Sequence, residues 1–296
     1  MFKKYLNSHN PMIRLSVFLF LWAAFFLITN AIQILIINNI DADGSDFEKL
    51  NYLIQHKPVL SKILNLFNAI SLFLIPAYLF AYLSQAKPWE YLNLHKRHSS
   101  KVWVLSIGFA LVMIPTIVGL GGFIKEIQLF GALGSDLQEQ RDATMQLYFQ
   151  NEGIGMLLMN LFLLAFIPAF CEEFLFRGVL QKVLAQNFKN PLWAISISAL
   201  VFALLHFSVY EFIPILLAGL ILGTIYHYTK SLKLTILIHF VHNGMQVVLM
   251  TISNNNEEVE ISLWIYLLVF IIGLLVLRVI FKQLKIQQNG IKNLNY

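Results

Sequence analysis

The chain is 296 residues long, 58% hydrophobic and only 12% charged, with a mean hydropathy of +0.68. These values lie outside the range of soluble globular domains and indicate a multi-spanning membrane protein. The net charge of +5 is scattered over short loops with no basic cluster or interleaved aromatics, which argues against a nucleic-acid partner, and the single cysteine, Cys171, excludes an internal disulfide and any Cys-based zinc site.

Taken in order, Leu15 to Ile37 is an uncharged run long enough to cross about 30 Å of hydrocarbon, for which about 20 helical residues are needed. It lacks the short apolar region and small-residue cleavage site of a signal peptide, so it is expected to be a retained first span. Asn38 to Lys62 reads as an acidic connecting loop, and Ile63 to Leu83 as the second span, bent at Pro76. Ala86 to Lys101, with Trp89, Tyr91, Lys96 and Arg97, resembles an interfacial segment anchored at headgroup level. Val102 to Ile124 is the third span, followed by the longest polar loop, to Glu152. The fourth span starts at Ile154, passes Pro168 and ends near Lys189. Leu192 to Ser208, Phe212 to Tyr226 and Leu234 to Met250 are the fifth, sixth and seventh. Asn254, Asn255 and Asn256 mark a loop, and Ile261 to Leu277 is the eighth span. The expected fold is an all-α polytopic bundle of about eight transmembrane helices.

Alternating these spans from an N-terminus in the cytoplasm puts 15 Lys/Arg and one acid on the cytoplasmic side, and five Lys/Arg and 13 acids outside. Lys/Arg excess marks cytoplasmic loops, so both termini are expected inside.

The fourth span carries Glu172, Glu173 and Arg177, each costly at membrane depth, roughly 2.5–3.5 kcal/mol per group on insertion scales. Glu173 and Arg177 are four apart and share a helix face, which suits a structural ion pair. Glu172 points about 100° away, and its natural neighbours are His206, His239, His242 and Asn243 downstream. Glu172 and His206 each lie 17 residues from a turn at Lys189, hence at matching depth, about 25 Å along two helical arms. His239 and Asn243 share a face. A carboxylate and an imidazole can activate a water, while an imidazole and an amide can donate to an oxyanion: the parts of an amide hydrolase. The same residues offer zinc a three-ligand set, Glu172, His206 and His239, although no H-E-x-x-H is present. Cys171 reads as a buried thiol, Phe202 as packing, His242 as a neighbour of the site and His227 as an interfacial residue.

In their order on successive apolar helices, Glu172-Glu173-x-x-x-Arg177, Phe202-x-x-x-His206 and His239-x-x-x-Asn243 resemble the three motifs of the CAAX protease and bacteriocin-processing (CPBP, or Abi) family, intramembrane glutamate proteases often labelled metalloproteases. The resemblance covers about a third of the chain, Asn151 to Thr251. It implies that Glu172 activates water with the help of His206, that His239 and Asn243 stabilise the oxyanion, and that Glu173 and Arg177 support the site. It further implies an integral protein of a bacterial cytoplasmic membrane that cleaves a membrane-associated protein or peptide, with zinc a possible cofactor. The expected organisation is three N-terminal spans with interfacial segment and outer loop (1–150), a four-helix catalytic core (151–252), and a last span with a cytoplasmic tail (253–296). The competing reading is a non-catalytic membrane immunity factor, scaffold or transporter that keeps the polar cluster for helix packing or ion passage.

Overall fold

The computed structural model describes residues 4–40, 44–149, 153–253 and 261–293. The expected loop at Asn254 to Asn256 lies outside them. After a short 3₁₀ turn, the chain forms helices α1 (Pro11–Asn38), α2 (Asp46–His56), α3 (Pro58–Ser84), α4 (Pro88–Tyr91), α5 (Ser100–Glu126), α6 (Gly131–Phe149), α7 (Ile154–Asn187), α8 (Pro191–Leu204), α9 (Phe212–Thr229), α10 (Leu232–Ser253) and α11 (Leu263–Asn293). No strand occurs among the described residues. Among the described residues seven helices, α1, α3, α5, α7, α9, α10 and α11, are long and apolar enough to cross a membrane, and the chain is an all-α integral membrane protein.

The elements depart from expectation in four places. The fifth expected span is only the 14-residue α8, about 21 Å long and short of the 30 Å needed to cross. It stops at Leu204, because Phe207 takes a left-handed backbone (φ 48°), so His206 lies in the turn beyond the helix. The acidic loop after α1 contains α2, which Ser45 starts through a reciprocal capping box: Glu48 N–H donates to Ser45 Oγ (3.3 Å) and Ser45 N–H to Glu48 Oε2 (2.6 Å). Those bonds hold the Glu48 carboxyl below its ordinary range. The long polar loop after the third span folds as α6, whose inner face is bound by Thr144 Oγ1 donating to Asn51 (3.2 Å) and by the buried Tyr148 and Phe149. Finally, α11 continues as helix well beyond Leu277, into what was expected to be a tail.

Two long helices contain a widened turn just before a proline. Proline has no N–H and its ring clashes with the carbonyl four residues back. The ladder therefore slips to a five-residue step, Ile75 N–H to Ile70 O ahead of Pro76 and Ile167 N–H to Phe162 O ahead of Pro168. A third widened turn, Phe176–Leu180, has no proline within it and closes with Gln181 N–H to Phe176 O. It follows the Glu173 turn directly, and such turns inside α-helices are frequent at functional sites.

Polar contacts gather at two ends of the bundle. At one end Asn187 Nδ2 donates to Pro11 O (3.2 Å), Lys182 to Tyr91 O, and Lys96 Nζ to Thr229 O (3.2 Å), while His98 pairs with Ser231 Oγ (2.7 Å). At the other, Asn65 Nδ2 donates to Tyr148 OH (3.1 Å), Thr144 meets Asn51, and Arg141 pairs with Glu211. The first end collects the loops rich in lysine and arginine, and the second the acidic ones. We call them the basic and acidic ends.

Candidate active site

α7 carries the site near its middle: Glu172 is about 27 Å from Ile154 and about 22 Å from Asn187 along the helix. Glu173 is fully buried and its Oε1 has two partners, Arg177 Nη1 at 2.6 Å and His239 Nδ1 at 3.1 Å. The expected i, i+4 pair is thus present, and it also reaches α10. Arg177 is 1% exposed; its Nη2 donates to Gly219 O on α9 (3.1 Å), and its guanidinium lies over the Phe202 ring at 5.0 Å. Phe202 packs as expected, edge to Phe176 and to His239, and contributes a cation–π contact as well. Gly219 also sits at a tight contact between α9 and α8, where a Cβ on it would lie 3.0 Å from Ala199 Cβ. Cys171 is buried beside Glu172.

Glu172, His206, His239, His242 and Asn243 all line one cavity of about 540 Å³, the size of a small-ligand or peptide pocket. Glu172 Oε2 lies 3.8 Å from His239 Nε2 and accepts no hydrogen bond from the protein. Glu172 and His206 line the same cavity, although His206 sits in a turn and not on a helix.

The tautomers of both histidines follow from their partners. His206 Nδ1 is 2.8 Å from Phe202 O, and a carbonyl only accepts, so Nδ1 carries the proton and Nε2 presents a lone pair. His239 Nδ1 donates to the Glu173 carboxylate, so its Nε2 also presents a lone pair. This qualifies the oxyanion role expected of His239, since neutral His239 has no second N–H and can donate from Nε2 only as an imidazolium. His242 is arranged differently. Gln246 Nε2 lies 3.3 Å from His242 Nε2 and, as the donor, leaves the proton on Nδ1.

The two Nε2 lone pairs are chemically suited to zinc, but the geometry is not. Among the described residues no three or more His, Cys, Asp or Glu side chains stand close enough together to hold a metal ion, so Glu172, His206 and His239 do not form a ligand set as placed.

Several lining residues were not singled out from the sequence: Asn65, Arg141, Asp142, Glu211 and Gln246. Gln246 carried a usable signal, one helical turn beyond His242 on an apolar helix. The others come from segments read as loops or span ends, where no spacing pointed inward.

Residues 154–245 match the family model described as "Type II CAAX prenyl endopeptidase Rce1-like". The chain is also 32% identical over 152 residues to the "Membrane-embedded CAAX protease MroQ" of Staphylococcus aureus (strain USA300). That match covers 49% of this chain and 56% of the relative, so the chain spans about half the length of the curated relative it matches. No solved structure matches it. The matched region contains every motif residue gathered at the cavity, and over that region the chain is similar to the CAAX protease and bacteriocin-processing family.

Proposed function

We propose that this protein is an intramembrane endopeptidase that hydrolyses a peptide bond in a membrane-associated protein or peptide without a metal. The observation that carries the reading is the convergence of Glu172, His206, His239 and Asn243 on one cavity near the middle of α7, with the His206 tautomer set by Phe202 O. Ionisable side chains buried in a bundle at that depth are costly and default to function.

In the proposed reaction a water between Glu172 and His206 gives its proton to that pair as its oxygen bonds to the scissile carbonyl carbon. The carbonyl oxygen takes the electron pair and is held by the Asn243 amide and by His239, protonated on Nε2 and stabilised by Glu173 on Nδ1. A good oxyanion donor contributes about 3–4 kcal/mol. The intermediate then collapses: the C–N bond breaks, the carbonyl re-forms, and the proton held by Glu172 and His206 passes to the leaving amine. Glu173 is a positioning residue, since it acts through His239, and Arg177 in turn holds the Glu173 carboxyl in place. The catalytic unit is assigned to residues 151–252, with 1–150 and 253–296 as flanking membrane-embedded parts. The basic end is assigned to the cytoplasm, with both termini there.

The test is a comparison of peptide termini in membranes carrying the wild type or Glu172→Gln, which removes the base and keeps the side-chain shape. New termini should vanish with the variant at unchanged protein level. Residual processing within about tenfold of wild type, or about 1.4 kcal/mol, would defeat the assignment.

A further inference from the structure

We infer that the active-site cavity opens only toward the acidic end of the bundle, so that the enzyme draws its substrate from the outer side of the membrane. The inference rests on the proposed protease and its orientation, and concerns which substrates can reach it: a peptide, or an exported chain segment, lying in or at the outer leaflet.

The first observation is a closed floor. Between the site and the basic end, α7 and α9 are joined by two successive rungs, Arg177 to Gly219 O (3.1 Å) and Gln181 Nε2 to Gly223 O (2.8 Å). Both donors are buried, at 1% and 4% exposure. The helices touch closely at the second rung, where a Cβ on Gly223 would lie 3.1 Å from both Gln181 Oε1 and Ile195 Cγ2. Below the rungs, Tyr226 and Leu232 are both at most 2% exposed; a separate cavity of about 180 Å³ at the basic end, lined by Gln181 and Tyr226, shares no lining residue with the active-site cavity. A peptide cannot pass through side chains packed at this density.

The second observation is the direction of the cavity. On α10 its lining runs from His239 through Asn243 and Gln246 to Met250, 11 residues or about 16 Å toward the acidic end. Asn65, Arg141 and Glu211, all from acidic-end segments, line it, and the exposed large apolar side chains in its lining, Val118, Leu249 and Met250, lie in the acidic-end halves of α5 and α10. No residue of the basic-end contacts, Tyr91, Lys96, His98 or Asn187, lines it.

The third is charge. Among the described residues, the segments at the closed end hold 14 Lys/Arg and one acid, and those at the open end five Lys/Arg and seven acids. With Lys/Arg excess marking the cytoplasmic side, the open end faces out.

The experiment uses the full chain in native membranes, in a Cys171→Ala background, with one cysteine at Met145 on the rim, at Gln246 inside the cavity, or at Lys189 in the turn at the closed end. A membrane-impermeant maleimide is applied to intact cells and to inverted vesicles. Met145→Cys and Gln246→Cys should react at least about tenfold faster in intact cells, and Lys189→Cys at least about tenfold faster in inverted vesicles. Labelling of Lys189→Cys from outside would overturn the orientation. With Lys189→Cys labelled from inside, reaction of Gln246→Cys from the inside, or from neither side, would overturn the closed floor. Labelling needs no turnover, so an inactive Glu172→Gln with wrong-sided labelling would sink this inference and leave the protease standing, and correct labelling with an active Glu172→Gln would do the reverse.

Discussion

Glu173 ties α10 to the buried ion pair of α7, because one carboxylate oxygen serves both Arg177 and His239. Replacing it with glutamine leaves Arg177 buried without a counter-charge, at a cost of about 3–5 kcal/mol, and withdraws the anion that supports a protonated His239. Glu173→Gln should therefore fold poorly, and the surviving fraction should process substrate slowly; normal yield with full detergent stability would refute the pairing. His206→Ala, by contrast, removes a half-buried ring bonded only to its own helix's carbonyl, so it should fold near normally and lose processing. Protein yield beside product formation separates the two. The metal question also sits at this scale. If water is activated by Glu172 and His206 alone, the purified protein keeps its activity through exhaustive chelation; loss on chelation with recovery by zinc alone would make the metal mechanism correct. Much of the site was legible, because a charged residue in an apolar run stands out and the i, i+4 rule pairs Glu173 with Arg177. The bond from Glu173 to His239 was not, since it spans 66 positions and depends on how α7 and α10 are rotated against each other.

At the scale of elements, hydropathy located every long span because the bilayer sets a minimum length that few other constraints disturb. It failed where length and composition disagree. α8 is apolar but too short to cross, and α6 is helical but too polar to be read as anything other than a loop. Close helix approaches were also hidden, because a glycine in an apolar run carries no partner's name. α5 and α11 pack so closely that a Cβ on Gly119 would lie 2.9 Å from Tyr266 O and 3.0 Å from Phe270 N, both backbone atoms that cannot swing aside. On the facing helix, a Cβ on Gly273 would meet Thr116 Oγ1 at 2.1 Å. In a membrane, such small-residue contacts stand in for the hydrophobic driving force that lipid cannot supply. Gly119→Leu should thus push α11 off α5 and lower stability by at least about 1–3 kcal/mol, the usual cost of overpacking. Thermal unfolding in detergent reads this directly, and an unchanged midpoint would show that the crossing can relax.

Over the whole molecule, the rim of the cavity is assembled from parts distant in sequence, which is why it could not be foreseen from motifs clustered within residues 172–243. Arg141 of α6 pairs with Glu211 at the start of α9, 70 positions later, and both line the mouth. Their side chains are 29% and 40% exposed, so the pair is in the solvent-screened regime and contributes about 0.2–1 kcal/mol to stability. Its consequence should appear in access to the site instead. Arg141→Glu places like charges across the mouth and should shift α6 away from α9, with little change in the unfolding midpoint. Because neither residue touches the group of Glu172, His206 and Asn243, the effect should fall on KM and leave kcat within about twofold. The exchanged pair, Arg141→Glu with Glu211→Arg, restores the attraction with its ends reversed and should bring KM back toward the wild-type value. A loss of kcat in Arg141→Glu that the exchange does not repair would mean that Arg141 contacts the reacting segment of the substrate, and the rim would then have to be counted as part of the catalytic site.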